Sequence, residues 1–302
     1  MKQHAIKNMA VLSGSALLLG ASSATAGEPA PYIPPPPMPA PAECGSPGWT
    51  LTAAALYLKS YRADDFSWAG EGYEYDGDWD WGFRGSLDYE RPDGLFFRIV
   101  GFWYDAGFDY NYEGSSFNNG DFESKADGDM ELWDIDFLIG DTFCPTEHTS
   151  IELSAGLRYA NADEEITEEY DFQEIYTRRE KWGRDFDGWG PTIQIRARRT
   201  LTDRVALYAD LQQSLLFGET DDTLDRTEIN NETGDEFDVP DEDRSSDTMA
   251  AVTEIRGGVE FLWGFNAIQN AYLRLGAEGQ YWWLNSFDVG LVGAVAEVGF
   301  TF

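Results

Sequence analysis

The feature that most constrains this chain is a period of two, recurring over most of its length. In "DWGFRGSLDYE", residues 80–90, Trp81, Phe83, Gly85, Leu87 and Tyr89 share one face; Asp80, Gly82, Arg84, Ser86, Asp88 and Glu90 share the other. "IELSAGLRY", residues 151–159, sets Ile151, Leu153, Ala155, Leu157 and Tyr159 against Glu152, Ser154, Gly156 and Arg158. Trp189, Pro191, Ile193, Ile195 and Ala197 oppose Thr192, Gln194, Arg196 and Arg198 in the same way. Successive side chains of a strand point to opposite faces, so each segment predicts a strand with one apolar and one polar face. Ten such segments lie near 49–59, 79–90, 94–105, 130–142, 149–161, 188–199, 203–217, 249–263, 270–283 and 289–302. Each is long enough to cross a bilayer as a tilted strand, for which about 9–11 residues suffice.

The last segment, "AVAEVGFTF", shows which solvent the apolar faces meet. A chain of formal net charge −34 ends on a row of Ala294, Ala296, Val298, Phe300 and Phe302. In water such an edge invites aggregation; against lipid it is a wall. Connection lengths agree. Long loops alternate with the short turns "RPDG", "CPTEHT", "TLTD" and "GFNAIQN", and only the last hairpin, around "NSFD", breaks the alternation. Long loops on one side and short turns on the other mark an outer-membrane barrel, in which closure satisfies every backbone hydrogen bond inside hydrocarbon. The predicted fold is all-β: a transmembrane, antiparallel, up-and-down barrel of about ten strands over residues 48–302. Eight or twelve strands stay open, because "ITEEYDFQEIY" (166–176) has the pattern of a hairpin extending above the membrane. Trp49, Trp81, Trp103, Trp133, Trp189, Trp263 and Trp283 are expected in the interfacial girdles. Phe302 also resembles the C-terminal aromatic by which the barrel assembly machinery recognises such chains.

The N-terminus predicts the route. A basic "MKQHAIKN", an apolar "MAVLSGSALLLGASS" and Ala24-Thr25-Ala26 read as a cleaved secretory signal, 1–26. Residues 27–47 form a proline-rich leader, extended and spacer-like, on the periplasmic side. The expected location is the outer membrane of a Gram-negative bacterium. The two cysteines, Cys44 and Cys144, both fall on the periplasmic side of a ten-strand topology, and in an exported chain they predict a disulfide.

Four phrases, "DWDWGFRGSLDYERPDG" (78–94), "IELSAGLRYANADEE" (151–165), "FDGWGPTIQIRARRTL" (186–201) and "LYADLQQSLLFGE" (207–219), resemble the Legionella-type major outer membrane protein family. The resemblance runs in register through most of 48–302 and implies a pore-forming outer-membrane barrel. The acidic loops and the proline leader lie outside the matching phrases.

Charge patterning carries the functional expectation. Residues 60–78, 105–129, 160–187 and 218–247 hold 36 carboxylates and eight Lys or Arg, which is −28 of the total. This acidic crown of four long extracellular loops would gather cations and repel anions. It also excludes nucleic acid, whose phosphates need basic partners. The segment 221–247 reads as a solvated, partly disordered loop able to hold divalent cations only loosely. By alternation the lumen receives Arg84, Asp88, Arg98, Asp134, Asp136, Glu152, Arg158, Arg196, Arg198, Glu254, Arg256, Glu260, Arg274, Glu278 and Glu297. Mixed signs at similar depth predict ion-pair ladders around a narrow or gated water path, since about eight strands enclose little more than side chains and ten leave room for a narrow path, not a wide one. Histidine chemistry is not expected: His4 leaves with the signal and His148 falls in a periplasmic turn, so no histidine general base remains among the extracellular loops, and the abundant carboxylates read as solvated surface rather than a hydrolytic pair. The sequence therefore predicts a small, cation-preferring, non-enzymatic pore with no cofactor and no metal centre. The alternative is a non-conducting surface barrel whose loops bind divalent cations or an extracellular partner. Lipid and lipopolysaccharide are the expected surroundings, and the oligomeric state stays open.

Overall fold

The computed structural model describes residues 47–62, 76–116, 120–172, 176–265, 268–284 and 288–302. The expected signal, the leader up to residue 46 and Cys44 lie outside the described residues. The two-residue period becomes eleven strands: β1 (Gly48–Arg62), β2 (Asp76–Gly77), β3 (Trp79–Glu90), β4 (Leu95–Ser116), β5 (Gly120–Thr146), β6 (Thr149–Phe172), β7 (Tyr176–Thr202), β8 (Val205–Asn230), β9 (Glu236–Phe265), β10 (Ile268–Trp283) and β11 (Asp288–Thr301). Ten close into an antiparallel barrel. β1 lies between β3 and β11, and β4 with β5 completes the ring. β2 pairs outside the ring, with Asp76 opposite Asp109 of β4.

Closure follows from the residues at the seam. Trp49 and Phe302 exchange backbone hydrogen bonds of 3.0 and 2.9 Å, and the register places Leu51 opposite Phe300 and Ala53 opposite Val298. The terminal aromatic row is thus an outer face of the wall. Large apolar side chains point outward around the whole barrel: Phe83, Phe137, Leu157, Ile193, Leu211 and Ile255 are 46–61% exposed. In a membrane that band meets hydrocarbon. Trp49 and Trp263 bound it on the turn side, and Trp81, Trp103, Trp189 and Trp283 bound it on the far side, all at 38–61% exposure.

Short turns follow from local chemistry. In "RPDG" the Gly94 N–H donates to Arg91 O at 3.0 Å, and Gly94 has φ +91°. A Cβ there would lie 2.9 Å from an Asp141 carboxylate oxygen, so glycine is required on two counts. Cys144, near the turn-side end of β5, is disulfide-bonded.

The long connections differ from expectation, except that the hairpin extension expected at 166–176 is present. β4 and β5 pair out to Ser116 opposite Gly120, β6 and β7 to Phe172 opposite Tyr176, and β8 and β9 to Ile229 opposite Glu236. Three of the four expected loops are therefore tall β-hairpins, and segment 221–247 is strand and tight turn rather than disordered loop. The fourth, 60–78, lies mostly outside the described residues. Cross-strand charge pairs explain the correction: Lys181 meets Glu165 at 2.8 Å, Arg179 meets Glu169 at 3.0 Å and Arg226 meets Glu180 at 2.7 Å. The β8–β9 turn is closed by Asn230, whose side-chain oxygen accepts the N–H groups of Glu232 and Thr233 at 2.9 and 3.1 Å.

Candidate functional site

The inner face of the barrel is the candidate site, and it is layered. All fifteen side chains named above from alternation turn inward, most of them buried. Near the turns, five guanidiniums (Arg98, Arg196, Arg198, Arg256, Arg274) meet five carboxylates (Asp88, Glu152, Asp210, Glu260, Glu297). Arg98 donates to Asp88, to Glu152 at 2.8 Å and to the Gln194 side-chain oxygen at 3.0 Å. Arg274 bridges Glu260 and Glu297 at 2.9 and 3.0 Å, and Arg198 reaches Glu260 at 2.7 Å. Arg196 and Arg256 share Asp210 more loosely, at 3.4 and 3.7 Å. Asp210, which the same alternation also turns inward, completes the charge balance of this layer.

Deeper in the barrel the pairing is incomplete. Arg84 grips Glu278 through two hydrogen bonds of 2.7 Å and touches Glu254 at 3.1 Å. Arg158 grips Asp136 at 2.7 and 2.8 Å and pairs with Glu254 at 2.5 Å. Two guanidiniums here hydrogen-bond to Asp136, Glu254 and Glu278, with Asp134 beside them and Arg256 opposite Glu278 in the register, so that the inner face as a whole holds two more of these carboxylates than guanidiniums. Asp134 is 2% exposed. Its nearest cation is Arg158 at 3.8 Å, and neither of its oxygens receives a hydrogen bond among the described residues. A chain of amides ties this layer together: Gln194 donates to Gln212 at 2.9 Å, Gln212 to Asp136 at 2.8 Å and Gln280 to Glu278 at 2.7 Å. Charges held this far from water persist only because they are paired and hydrogen-bonded.

Above the charged layers lies an apolar stratum. Leu56, Leu58, Tyr104, Leu132, Leu216, Val252, Trp282 and Leu291 are all 0% exposed and belong to one contiguous cluster inside the barrel. The Trp282 indole N–H donates down to Gln280 at 3.0 Å, joining the apolar stratum to the amide chain. Among the described residues this stratum packs the bore shut. These residues were missed because their signal is a lapse of alternation: "SLLFG" and "YWWLN" are apolar on both faces.

Beyond the stratum the tall hairpins carry the acidic crown. On their inner face Arg184 lies 3.7 Å from Glu164 and 3.6 Å from Asp222, and Arg178 meets Glu228 at 2.6 Å. On their outer face the register aligns Asp105, Glu131, Asp163, Asp185 and Asp221 in one row across five strands. Partial burial, then Glu131 and Glu165, pushes the Asp163 carboxyl above its ordinary value. Partial burial, then Asp187 and Asp163, does the same to Asp185. Among the described residues no three carboxylate, histidine or cysteine side chains converge to hold a metal ion. His148 sits exposed in the turn between β5 and β6.

The family described as Legionella pneumophila major outer membrane protein precursor matches residues 40–296. A search of curated proteins finds no match. Among solved structures, the outer membrane protease OmpT from Escherichia coli superposes with a TM-score of 0.51 at 10% identity, covering 84% of this chain and 97% of its own. A major outer membrane protein from Thermus thermophilus is similar at a TM-score of 0.35 and 13% identity, covering 84% of this chain and 98% of its own. The Ralstonia pickettii toluene transporter TbuX is similar at a TM-score of 0.28 and 10% identity, covering 85% of this chain and 90% of its own. At these identities the OmpT likeness bears on fold alone.

Proposed function

The chain belongs to the Legionella pneumophila major outer membrane protein family, an outer-membrane β-barrel of the bacterial envelope, and from that premise we propose that it is a narrow, gated, cation-preferring pore. The observation that carries this reading is the unbalanced charge on the inner face of the barrel. A barrel needed only as a membrane scaffold gains nothing from burying charge, because ion pairs in low dielectric recover their desolvation cost only in part. Here the excess is negative, two carboxylates beyond the guanidiniums, and the acidic hairpins above it have the same sign. Cations are drawn in and anions repelled at both levels.

The apolar stratum sets the resting state. A hydrophobic constriction excludes water and hence ions, so conduction requires Leu132, Leu216 and Trp282 to move aside. The reading includes no catalytic role. A second reading, a non-conducting surface barrel, is favoured by the completeness of that stratum. Ion flux from vesicles loaded with a potassium-sensitive dye tests the two. The pore reading expects slow flux from the native chain and at least tenfold faster flux from Leu132→Ser/Leu216→Ser. Absence of flux from both, with folding verified by heat-modifiable gel mobility, leaves the surface barrel.

A further inference from the structure

Outside the barrel, at the upper membrane boundary, strands β6–β9 build a groove of about 520 Å³ with an unusual division of chemistry. Its lower wall is aromatic: Tyr159, Trp189 and Phe217 stand side by side on adjacent strands and are 39%, 61% and 50% exposed. Its upper wall is the next outward row, where Asp187, Glu219 and Asp247 face one another across β7, β8 and β9. The Tyr159 hydroxyl donates to Asp187 at 2.6 Å and so fixes that carboxylate at the edge of the aromatic wall. Neither this row nor the one above it, Asp163, Asp185 and Asp221, contains a lysine or arginine across these strands.

Two features separate the groove from an ordinary solvated acidic surface. The carboxylates border a cavity whose other wall is a row of aromatic faces, and those faces also attract cations. The cavity sits where the lipid-facing band ends, so whatever fills it has apolar chains below and a head group above. We propose that this groove binds the head group of an amphiphile carrying a primary ammonium, with its chains lying along the Trp189–Ile193 stripe. An ethanolamine-type head group extends its ammonium beyond its phosphate, away from the chains. Successive outward rows of a strand lie about 6.6 Å apart, which sets the ammonium against the carboxylate row while the ester end lies by the aromatics. An anionic head group would meet six carboxylates with no counterion. Burial first, and then Asp187 and Asp163, push the Asp185 carboxyl above its ordinary value.

Native mass spectrometry of the refolded, delipidated chain in neutral detergent tests this, titrated with phosphatidylethanolamine and, separately, with phosphatidylglycerol of the same chains. Wild type should bind the ethanolamine lipid at least fivefold more tightly. The preference should fall below twofold in Asp187→Asn/Glu219→Gln/Asp247→Asn, an exposed triple amide variant that keeps the side-chain volumes. Equal binding of the two lipids by wild type overturns the proposal, as does a preference that survives in the variant. So does tighter phosphatidylglycerol binding once magnesium is added, which would assign the carboxylates to cation-bridged anionic lipid instead.

Discussion

Replacing Arg84 with methionine asks whether the barrel interior is dry. The guanidinium is 5% exposed, and its partners Glu278 and Glu254 are 0% and 3% exposed. Arg84→Met would remove the guanidinium that Glu278 holds through two hydrogen bonds and leave Glu254 with Arg158. Removing one partner of a buried, hydrogen-bonded pair costs about 3–5 kcal/mol, whereas the same loss in a water-filled lumen costs about 0–1 kcal/mol. The difference is large enough to decide between a packed and a hydrated bore. Arg84→Met/Glu278→Met removes both charges with similar volume, and should recover most of the loss, to within about 1–2 kcal/mol of wild type. The assay is urea unfolding of the refolded chain in lipid vesicles, followed by tryptophan fluorescence and gel mobility. A loss below about 1 kcal/mol for Arg84→Met, with no rescue by the double substitution, refutes the packed interior.

Gly94→Ala should destabilise the barrel by more than about 1 kcal/mol in the same assay, because it combines a positive φ with a 2.9 Å clash; an unchanged urea midpoint would refute it. The outward carboxylates predict a pH dependence. Raised folded-state values for Asp163 and Asp185 mean that the folded chain takes up protons more readily, so their penalty is present at neutral pH and is relieved as pH falls toward the ordinary value of 3.8. Asp163→Asn/Asp185→Asn should therefore exceed wild type in stability at pH 7, with the gap closing toward pH 4; a constant gap contradicts the sign. Cys144 is disulfide-bonded and Cys44 is the chain's other cysteine, so a non-reduced digest should yield one peptide pair spanning both; two free thiols would refute the link.

The barrel wall was legible because lipid imposes a strict rule on outward residues. Leu153, Leu157, Ile193 and Ile195 are spaced by that rule, and so are the charged residues between them. The stratum that closes the bore was not, because Leu216 lies between outward Leu215 and Phe217, and Trp282 beside outward Trp283. Where both faces are apolar the period of two disappears, and only ring closure shows which residues meet. Ion-pair partners were hidden for the same reason: Arg84 joins Glu278 across 194 positions of sequence. The tall hairpins were obscured differently. In "NADEEITEEYDF" carboxylates occupy both faces, so strand and solvated loop look alike until Lys181 and Arg179 are placed opposite Thr167 and Glu169 in the register, with Glu165 one outward row away.

The reversal potential of single openings in a planar bilayer under a salt gradient tests the gated, cation-preferring pore most directly. The recordings compare the refolded chain with Leu216→Ser, which polarises the stratum without touching a charge. Rare openings of the native chain and frequent openings of the variant, both reversing on the cation side, are the predicted result. Anion-side reversal, or silence from both proteins when folded, would contradict it.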